Sequence, residues 1–425
     1  MEKMTLTHFS AGEVINSTAG TLEAGAVTDS NSLSAEMKTF YDKTLITLAG
    51  ANLIHEQFGQ KRPIPAGGGK TIEFRKFSKL PKAMKTITEG ITPKGNKLNV
   101  SKVSATVDQY GDYIEQTDML ELTAIDNTIV EATKELASQA GLTLDTVVRN
   151  EIVGGTNVMY VPDTSEGAET AVDRRESITA GCKLRVKDVF KAAAELKAVN
   201  APKINGSYVA IIHPYIAYDL MQEAGEQWIG ISKYVNPENI LKGEIGCLGG
   251  VRFVESTEAK IYGPAVISDG FTRLTVKNAA SEGAVKIAVE EALTAGAVDN
   301  IEVYVNGSKN TVTAIENTDG ASFVVLENAL SASVGVGAVI CGTGAGKDGS
   351  AVFCTLFLGE NAYGVTDIEG GGLEHIVKQK GYGNDPLNQR SSVGWKATKV
   401  AKRLLEEYIL RVESGSEFSK TAETN

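Results

Sequence analysis

The residues that most often do chemistry in proteins do not form a complete catalytic or metal-binding pattern in this sequence. Two glycine-rich segments, 67–71 (GGGKT) and 342–348 (GTGAGKD), resemble the end of a phosphate-binding loop. The first has Ile64 and the second Cys341 where that loop needs its leading glycine, so both are interpreted as turns. No G-x-S-x-G nucleophile turn occurs, and the four histidines and four cysteines form no cluster with zinc-ligand spacing. The sequence therefore predicts a protein that is not an enzyme and has no catalytic, cofactor-binding or metal-binding residues.

Three smaller features also have ordinary interpretations. His213, just before Pro214, could act as a base, but a histidine that only completes the end of a strand is the favoured interpretation. The adjacent acids Glu290-Glu291 and Glu406-Glu407 are typical of a solvated face rather than of two converging carboxylates. The four cysteines are far apart and lack a C-x-x-C pair, which predicts reduced, partly buried thiols.

Length and charge limit the classes of protein that fit. A chain of 425 residues with 42% hydrophobic content predicts two or three domains with real cores. Its net charge of -11 argues against a protein whose whole surface holds nucleic acid or anionic lipid. No run of eighteen apolar residues occurs, and the first residues lack the apolar core of a signal peptide. We therefore expect an intracellular product that does not span a membrane.

One segment is strongly basic within this acidic chain. From Lys61 to Lys102 there are eleven lysines and arginines but only two acids, Glu73 and Glu89, which gives a local charge of +9. Residues 71–77 and 100–107 alternate like strands, and together they predict a long two-stranded excursion that needs a partner to lie on. The partner could be a phosphate backbone or an acidic neighbouring subunit. Few aromatic side chains are available to stack on bases, which favours the protein neighbour.

The remaining pattern predicts the elements around this excursion. Residues 126–155 have apolar positions three or four apart and predict a helix about 40 Å long, either an ordinary core helix or the strut of an extended protein. Helical spacing at 186–199 and 215–223, with a buried strand at 208–212 and glycine-punctuated strands at 241–256, predicts a small α/β layer domain. Residues 1–35 are interpreted as an arm that is ordered only against something else, and 36–58 regain helical spacing.

Two C-terminal features complete the pattern. Residues 269–349 have period-two runs and an Asn306-Gly307 hairpin signal, which predicts an inserted all-β module, a small barrel or a sandwich, whose ends lie close together. Residues 398–412 fit either a helix or a strand–turn–strand. The last residues, 414–425, are expected to be disordered.

Many segments, in one order from about residue 36 to 413, resemble the major capsid protein of tailed bacteriophages, specifically the coat-protein family typified by the N-four-like phages. The β module at 269–349 interrupts the resemblance. The segments that carry it are FGQKRPIPAGGGKTIEFRKFSKLP, TEGITP, QYGDYIEQTDMLELT, HPYIAYDLM, VNPENILKGEIGCLGGVRFVES, FLGENAYGVTDIEGGG and DPLNQRSSVGWKATKVAKRLLEEYILRVE.

The resemblance implies an α+β fold, the Hong-Kong-ninety-seven-type phage coat fold, with an inserted small all-β domain. It places a spine helix at about 126–153, within the peripheral domain. The domain order that it implies is an N-terminal arm (1–60), an extended β-hairpin loop (61–105), a peripheral domain with the spine helix (106–180), an axial domain (181–268), the inserted β domain (269–349), the second part of the axial domain (350–384), and a return to the peripheral domain with a disordered tail (385–425).

The resemblance also implies a function. Proteins of this kind have no active site and need no cofactor; they self-assemble into hexamers and pentamers of an icosahedral head that encloses double-stranded DNA without sequence specificity. The implied partners are copies of the chain itself and scaffold, portal and decoration proteins, with no membrane. The implied location is the virion, and the host cytoplasm during assembly. The alternative is an encapsulin-like nanocompartment shell, which shares the fold but packages protein.

A hypothesis for the contact between copies follows from the basic excursion. In this fold the extended loop lies over the adjacent subunit, and an acidic surface there would hold its lysines while its phenylalanines pack. The residues that this hypothesis assigns to the intersubunit contact are Phe74, Lys76, Phe77, Lys79, Lys82 and Lys85.

Overall fold

The computed structural model describes most of the chain. The described residues are 14–17, 20–23, 26–28, 54–77, 80, 82–84, 86, 89–90, 95–123, 128–165, 167–225, 228–230, 243–318, 320–378, 380, 385, 387–418 and 424–425. They form two compact units. The first unit comprises Met1–Glu56, Gln60–Val148 and Gly364–Leu404, and the second comprises Gln57–Gly59, Arg149–Tyr363 and Leu405–Asn425.

The described helices and strands have the following bounds. The α-helices are α1 (Asp118–Thr123), α2 (Thr128–Val153), α3 (Val186–Ala198) and α4 (Pro214–Ala224). The strands are β1 (Val14–Ser17), β2 (Gly20–Glu23), β3 (Ala26–Thr28), β4 (Gln60–Lys61), β5 (Thr71–Phe77), β6 (Val100–Thr106), β7 (Asp108–Thr117), β8 (Val158–Tyr160), β9 (Tyr208–Ile212), β10 (Ile229–Gly230), β11 (Glu244–Leu248), β12 (Val251–Glu255), β13 (Ile261–Tyr262), β14 (Arg273–Thr275), β15 (Lys286–Val289), β16 (Gly296–Val305), β17 (Ser308–Thr318), β18 (Ala321–Leu326), β19 (Val339–Gly342), β20 (Val352–Leu358), β21 (Tyr363–Thr366), β22 (Glu374–Lys378), β23 (Arg390–Arg403) and β24 (Ile409–Ser414).

The first unit is a sheet covered by the long helix α2. The strand order is β3-β2-β1-β7-β23-β21-β4, and β22 pairs antiparallel with residues 392–396 of β23. β7 and β23 form the centre of the sheet, paired antiparallel from Arg390↔Thr117 to Lys399↔Asp108. The core lies between this pair and one face of α2, where side chains four residues apart meet alternate residues of β23. Its members are Leu136, Ala140, Leu144, Val393, Trp395 and Ala397.

The predicted long helix is confirmed, since α2 runs from Thr128 to Val153. The residues just before it, 124–127, lie outside the described part of the chain. The buried side chains recur on one stripe of α2, so the helix is amphipathic as the spacing predicts. Among the helices of the described residues, none combines the length and the apolar character needed to cross a lipid bilayer.

The second unit contains a mixed sheet with strand order β10-β11-β12-β9-β20-β24-β8, and β13 pairs with β20. Every residue of β9 and of β20 is buried, so these central strands are covered on both faces. α3 and α4 present buried residues such as Val189, Leu196 and Leu220. The predictions of helices at 186–199 and 215–223, of a buried strand at 208–212 and of a strand pair at 241–256 are confirmed.

The predicted all-β module is a closed barrel. Its six strands pair antiparallel in the order β14-β19-β16-β17-β18-β15. A further bridge, Val276↔Val289, joins the two edge strands and closes the ring, with hydrogen bonds from Lys277 N to Ala288 O and from Glu290 N to Thr275 O, both 2.9 Å. The ring encloses a hydrophobic core of the module's own.

The turn chemistry of the barrel follows its sequence. Asn306 and Gly307 have φ of 49° and 78° and join β16 to β17, as expected for a type I′ hairpin turn. The entry and exit of the barrel lie together, because Ala265 N donates to Thr343 O at 2.9 Å. The period-two run at 334–340 is only partly strand. Val334 makes a single bridge with Ala280, and the strand itself is β19.

The C-terminal segment differs from two sequence-based expectations. Residues 398–412 form a strand, a 3-10 turn at Glu406–Tyr408 and a second strand. Of the two structures that the sequence allows here, the strand–turn–strand is therefore correct and the helix is wrong. The assignment of 385–413 to one returning peripheral sheet is wrong for the last strand, because β24 pairs with β20 and β8 in the sheet of the second unit. β24 is buried almost throughout, whereas β23 alternates, so each strand suits the sheet that holds it.

The expected disorder after residue 413 is also wrong for its first residues. Ser414 and Ser416 are buried, and the hydroxyl of Ser416 donates to Asp219 at 2.8 Å. The ring of Phe418 stacks on Tyr215 with centroids 4.6 Å apart. The polar sequence does not indicate that these residues are ordered, because the residues that contact them lie on α4, about 200 positions earlier in the chain.

The N-terminal expectations meet the structure only in part. Residues 1–35, interpreted as an arm without its own pattern, include the three short strands β1, β2 and β3, and β1 pairs with β7 at Asn16↔Gln116. The helical spacing proposed for 36–58 falls mostly on residues 31–53, which lie outside the described part of the chain.

The units cross the implied domain boundaries at two places. The resemblance implies one domain for 106–180, but the chain passes from the first unit to the second at Val148–Arg149, inside α2. The segment 350–384 is also divided, with β20 in the second unit and residues from Gly364 in the first. A helix or strand can begin in one unit and end in the other, so composition does not mark these boundaries.

Candidate functional site

The basic segment forms the predicted hairpin. β5 and β6 pair antiparallel in a continuous register from Thr71↔Thr106 to Phe77↔Val100. Within the described residues, neither strand pairs with a third strand. Cross-strand side-chain contacts are few and exposed, such as the Lys102–Glu73 ion pair at 2.8 Å. The hairpin therefore has a complete backbone ladder but little buried surface of its own.

Phe74 anchors the base of this hairpin to its own unit. The side chain is only 5% exposed, and Ala105 and Val107 on the opposite strand and just beyond it are also buried. A Cβ atom added at Gly364 would lie 2.7 Å from Cζ of Phe74, so the ring occupies the space that a side chain there would need. The hypothesis that Phe74 packs on a neighbouring copy is thus corrected, because its own chain already buries it.

The part of the hairpin beyond the anchor exposes both apolar and positive side chains. Met84 is 83% exposed, and Leu80, Leu98 and Val100 are between 48% and 59% exposed. Lys76, Lys82 and Lys97 are exposed in the same region. Large exposed apolar side chains make this part of the chain a candidate interaction surface.

The structure locates the other assigned contact residues only in part. Lys76 lies on β5 opposite Ser101, and Lys82 lies beyond the strand. The backbone of Phe77 pairs with that of Val100, but the position of the Phe77 side chain is not among the described parts of the structure. Lys79 and Lys85 lie outside the described residues. The structure therefore brings Lys76 and Lys82 to one exposed hairpin, and the assignment of all these residues to an intersubunit contact stays a prediction.

A buried polar pair fixes the segment that leads into the hairpin. His55 and Asp145 are both fully buried, and Asp145 accepts from the His55 backbone N at 2.9 Å and contacts its Nδ1 at 2.7 Å. Buried polar groups need such partners, so the pair fixes the position of this segment against α2. Sequence reasoning missed the pair because its members are 90 residues apart and neither belongs to a motif.

Glu56 continues this anchor with two lysines. Its carboxylate lies 2.7 Å from Nζ of Lys399, on β23, and 3.0 Å from Nζ of Lys61, on β4. Burial alone would raise the pKa of Glu56, but the hydrogen bonds and charges of Lys399 and Lys61 outweigh it and lower that pKa below its ordinary value. The carboxylate is therefore held ionised between the two strands.

The second unit has a buried ionic cluster with a structural role. Glu413 is fully buried, and its carboxylate lies 2.8 Å from Nε of Arg175 and 2.8 Å from Nε of Arg411. The Arg175 guanidinium also stacks 3.4 Å above the centroid of the Tyr262 ring. Burial raises the pKa of the Tyr262 hydroxyl and of the Cys354 thiol, so both stay protonated. Neither is an activated nucleophile.

His213 has the structural role that the sequence favours. Burial lowers the pKa of its imidazole to about 4, so the ring is neutral at pH 7. Its Nδ1 accepts from the backbone N of Tyr215 at 3.2 Å and caps the start of α4. Across the described residues, no group of histidine, cysteine and acidic side chains is placed to hold a metal ion. The four cysteines are free, and three of them are buried.

Comparison with solved structures identifies the fold. The capsid of Cyanophage P-SCSP1u aligns with 89% of this chain and 93% of its own at a TM-score of 0.51 and 13% identity. The acid-stable capsid of Helicobacter pylori bacteriophage KHP30 aligns with 91% of this chain and 98% of its own at a TM-score of 0.49 and 10% identity. The capsid of Ralstonia phage GP4 aligns with 87% of this chain and 89% of its own at a TM-score of 0.48 and 13% identity.

The first of these similarities confirms the predicted fold class, an α+β fold of the kind found in a phage capsid. No family model matches the chain. No curated protein matches it either.

Replacing Phe74 tests the anchor of the hairpin. We expect Phe74→Ala to remove about 3–5 kcal/mol of packing and to speed amide hydrogen exchange in β5 and β6. The matched control is Lys76→Ala, on the same strand but exposed, which should leave exchange unchanged. Equal protection in the two variants would show that Phe74 does not hold the hairpin.

Replacing Glu56 tests the polar anchor through its pH dependence. Because the pKa of Glu56 is lowered in the folded chain, its stabilising effect is present above the unfolded value of 4.5 and is lost as pH falls through the folded value. Glu56→Gln should therefore cost about 1–3 kcal/mol at pH 7. The difference from the original chain should shrink in acid, as measured by urea unfolding at several pH values. The exposed Glu89→Gln is the control, and a difference for Glu56→Gln that does not vary with pH would contradict the assignment.

Proposed function

We propose that this chain is the structural major capsid protein of a tailed phage, whose copies assemble into the hexamers and pentamers of an icosahedral head around double-stranded DNA. The observation that carries the proposal is the fold shared with the cyanophage capsid over 89% of this chain. In this proposal the protein is a component of the virion, present in the host cytoplasm during assembly.

The parts of the fold have separate roles in this proposal. The sheet and α2 of the first unit correspond to the peripheral domain with its spine helix, and the mixed sheet of the second unit corresponds to the axial domain. The barrel is an insertion whose entry and exit segments hydrogen-bond to each other, from Ala265 N to Thr343 O. It can therefore be carried without changing the sheet that holds it.

The hairpin supports the self-association that the proposal requires. It is anchored at Phe74 and exposes Lys76, Lys82 and Met84 beyond the anchor. A net charge of -11 leaves much acidic surface on every copy, so the basic hairpin of one copy is attracted to the next. Single surface ion pairs contribute about 0–1 kcal/mol each, so strength comes from many contacts repeated around the shell.

The same net charge bears on the DNA. An acidic chain repels a polyanion, so we infer that the shell encloses DNA by its closed shape and not by tight binding. Scaffold, portal and decoration proteins are the further partners of this proposal.

Electron microscopy of the expressed protein tests the assembly. We expect closed shells when the chain is expressed with the assembly proteins encoded beside it. Particles purified from infected cells should contain DNA that nuclease cannot reach. Shells filled with protein cargo and free of DNA would favour the encapsulin-like alternative, and a chain that stays monomeric under both conditions would overturn the proposal.

Reversing charge on the hairpin tests its role. The triple substitution Lys79→Glu, Lys82→Glu and Lys85→Glu should leave a folded monomer, judged by circular dichroism, but reduce sedimenting shells at least tenfold. The control replaces the same three lysines by arginine and keeps the charge, so it should assemble. Shells at normal yield from the glutamate variant would exclude the hairpin as an electrostatic contact.

A further inference from the structure

The short strand β13 has one edge that no other strand covers among the described residues. β13 pairs antiparallel with β20, through Ile261↔Phe353 and Tyr262↔Val352, and Cys354 N donates to Lys260 O at 2.9 Å. In an antiparallel pair, alternate residues turn their backbone groups away from the partner strand. Three residues therefore direct theirs outward, and we call these groups the β13 edge: Ala259 O, Ile261 N and Gly263 N. An unpaired edge of this kind can bind another extended segment.

Two residues from the C-terminal part of the chain lie on the β13 edge. The side-chain carboxamide of Asn425 accepts from Ile261 N at 2.9 Å and donates to Ala259 O at 3.0 Å. The hydroxyl of Thr424 accepts from Gly263 N at 2.6 Å. A carboxamide has the same donor and acceptor as a peptide group, so Asn425 pairs with β13 as the backbone of a further strand would.

Lys260 adds a charge to this contact. Its ammonium group donates to the backbone O of Asn425. Burial lowers the pKa of that ammonium group, and the charges of Arg149 and Arg175 lower it further, so the surroundings of Lys260 disfavour its charged form. An oxygen atom from a bound segment therefore compensates a positive charge that the protein itself stabilises poorly.

The β13 edge is held from behind by contacts that do not involve the bound residues. Arg149 is only 2% exposed, and its Nη1 donates to Glu258 O at 2.8 Å, directly before the edge. The guanidinium of Arg175 lies 3.4 Å above the centroid of the Tyr262 ring, on β13 itself. All of these residues belong to the second unit. The geometry of the edge therefore does not depend on what occupies it, which lowers the entropic cost of binding.

We propose that the β13 edge is a peptide-binding site that recognises an asparagine carboxamide next to a hydroxyl side chain. Thr424 and Asn425 occupy it within their own chain and act as a latch. When the latch is released, the edge binds an extended segment of a separate polypeptide that carries the same Thr-Asn pair. Hydrogen bonds to the strand backbone supply affinity, and the carboxamide and the hydroxyl supply selectivity. This inference goes beyond the proposed capsid function and does not rest on it.

Hydrogen exchange tests the latch in the full-length chain. Leucine has the shape of asparagine without its donor and acceptor, so Asn425→Leu should speed amide exchange at Ile261 and Gly263 at least tenfold. The matched control is Thr424→Ser, which retains the hydroxyl and should leave both rates unchanged. Exchange in β24 should be the same in every variant and reports that the second unit stays folded. Unchanged exchange at Ile261 in Asn425→Leu would overturn the latch.

Binding of a synthetic peptide tests the site itself. The probe is a fluorescent peptide with the sequence of residues 419–425, SKTAETN, and the control peptide ends in Val-Leu instead of Thr-Asn. The full-length variant Thr424→Val/Asn425→Leu should bind the probe at least tenfold more tightly than the original chain does, because its edge is open. The control peptide should not bind. Equal binding of the two peptides, or of the probe to the two chains, would exclude a selective site on this edge.

A substitution within the site shows where the probe binds. Adding Lys260→Met to the open variant removes the ammonium group but keeps an unbranched side chain, and it should weaken binding of the probe about tenfold. Unchanged affinity would mean that the peptide binds elsewhere, and the assignment to β13 would then be wrong. None of these readouts requires assembled particles, so their failure leaves the capsid proposal intact, and a failure to form shells leaves this inference intact.

Discussion

Two paired strands satisfy each other's backbone groups, but they cannot enclose a hydrophobic core between themselves. At the base of the hairpin of β5 and β6, the buried ring of Phe74 fills the space beside Gly364 and packs the hairpin against its own unit. Beyond Phe74, the described apolar side chains of this segment are not covered. Met84, Leu80 and Leu98 remain exposed in a part of the chain where lysines are also concentrated. Such a hairpin becomes stable over its whole length only when another surface covers it, and the proposed self-association would supply that surface.

Polar groups fix the positions that apolar packing leaves free. His55 and Asp145 hold the entry to the hairpin, and Glu56 joins that entry to β4 and β23 through two lysines. In the second unit, buried Glu413 is shared between two arginines. A buried charge is costly unless its partner is in place, so each of these groups permits one arrangement of its neighbours and destabilises the others. They favour a defined geometry more than they add to the stability of the fold.

The barrel differs from the hairpin because its strands enclose a hydrophobic core of their own. Its six strands form a ring that the Val276↔Val289 bridge completes, and this ring has a hydrophobic core of its own. Its two connections to the rest of the chain lie side by side. Because the barrel has its own core and its two ends are adjacent, it does not need contacts with the rest of the chain to fold. It can therefore lie in sequence between β13 and β20 while every residue of β20 stays buried in the mixed sheet.

The sequence by itself determined the elements whose cause is local. The spacing of apolar residues in α2, the alternation in β5 and β6 and the Asn306-Gly307 turn each depend on neighbours a few residues away, so these predictions are confirmed. The concentration of positive charge between Lys61 and Lys102 is likewise a property of the chain alone. Only the tertiary structure decided which sheet receives β24 and that Phe74 is buried in its own unit. These contacts join residues from 51 (Leu358 and Ile409) to 290 (Phe74 and Gly364) positions apart in the chain, and local propensity carries no information about which distant segments will meet.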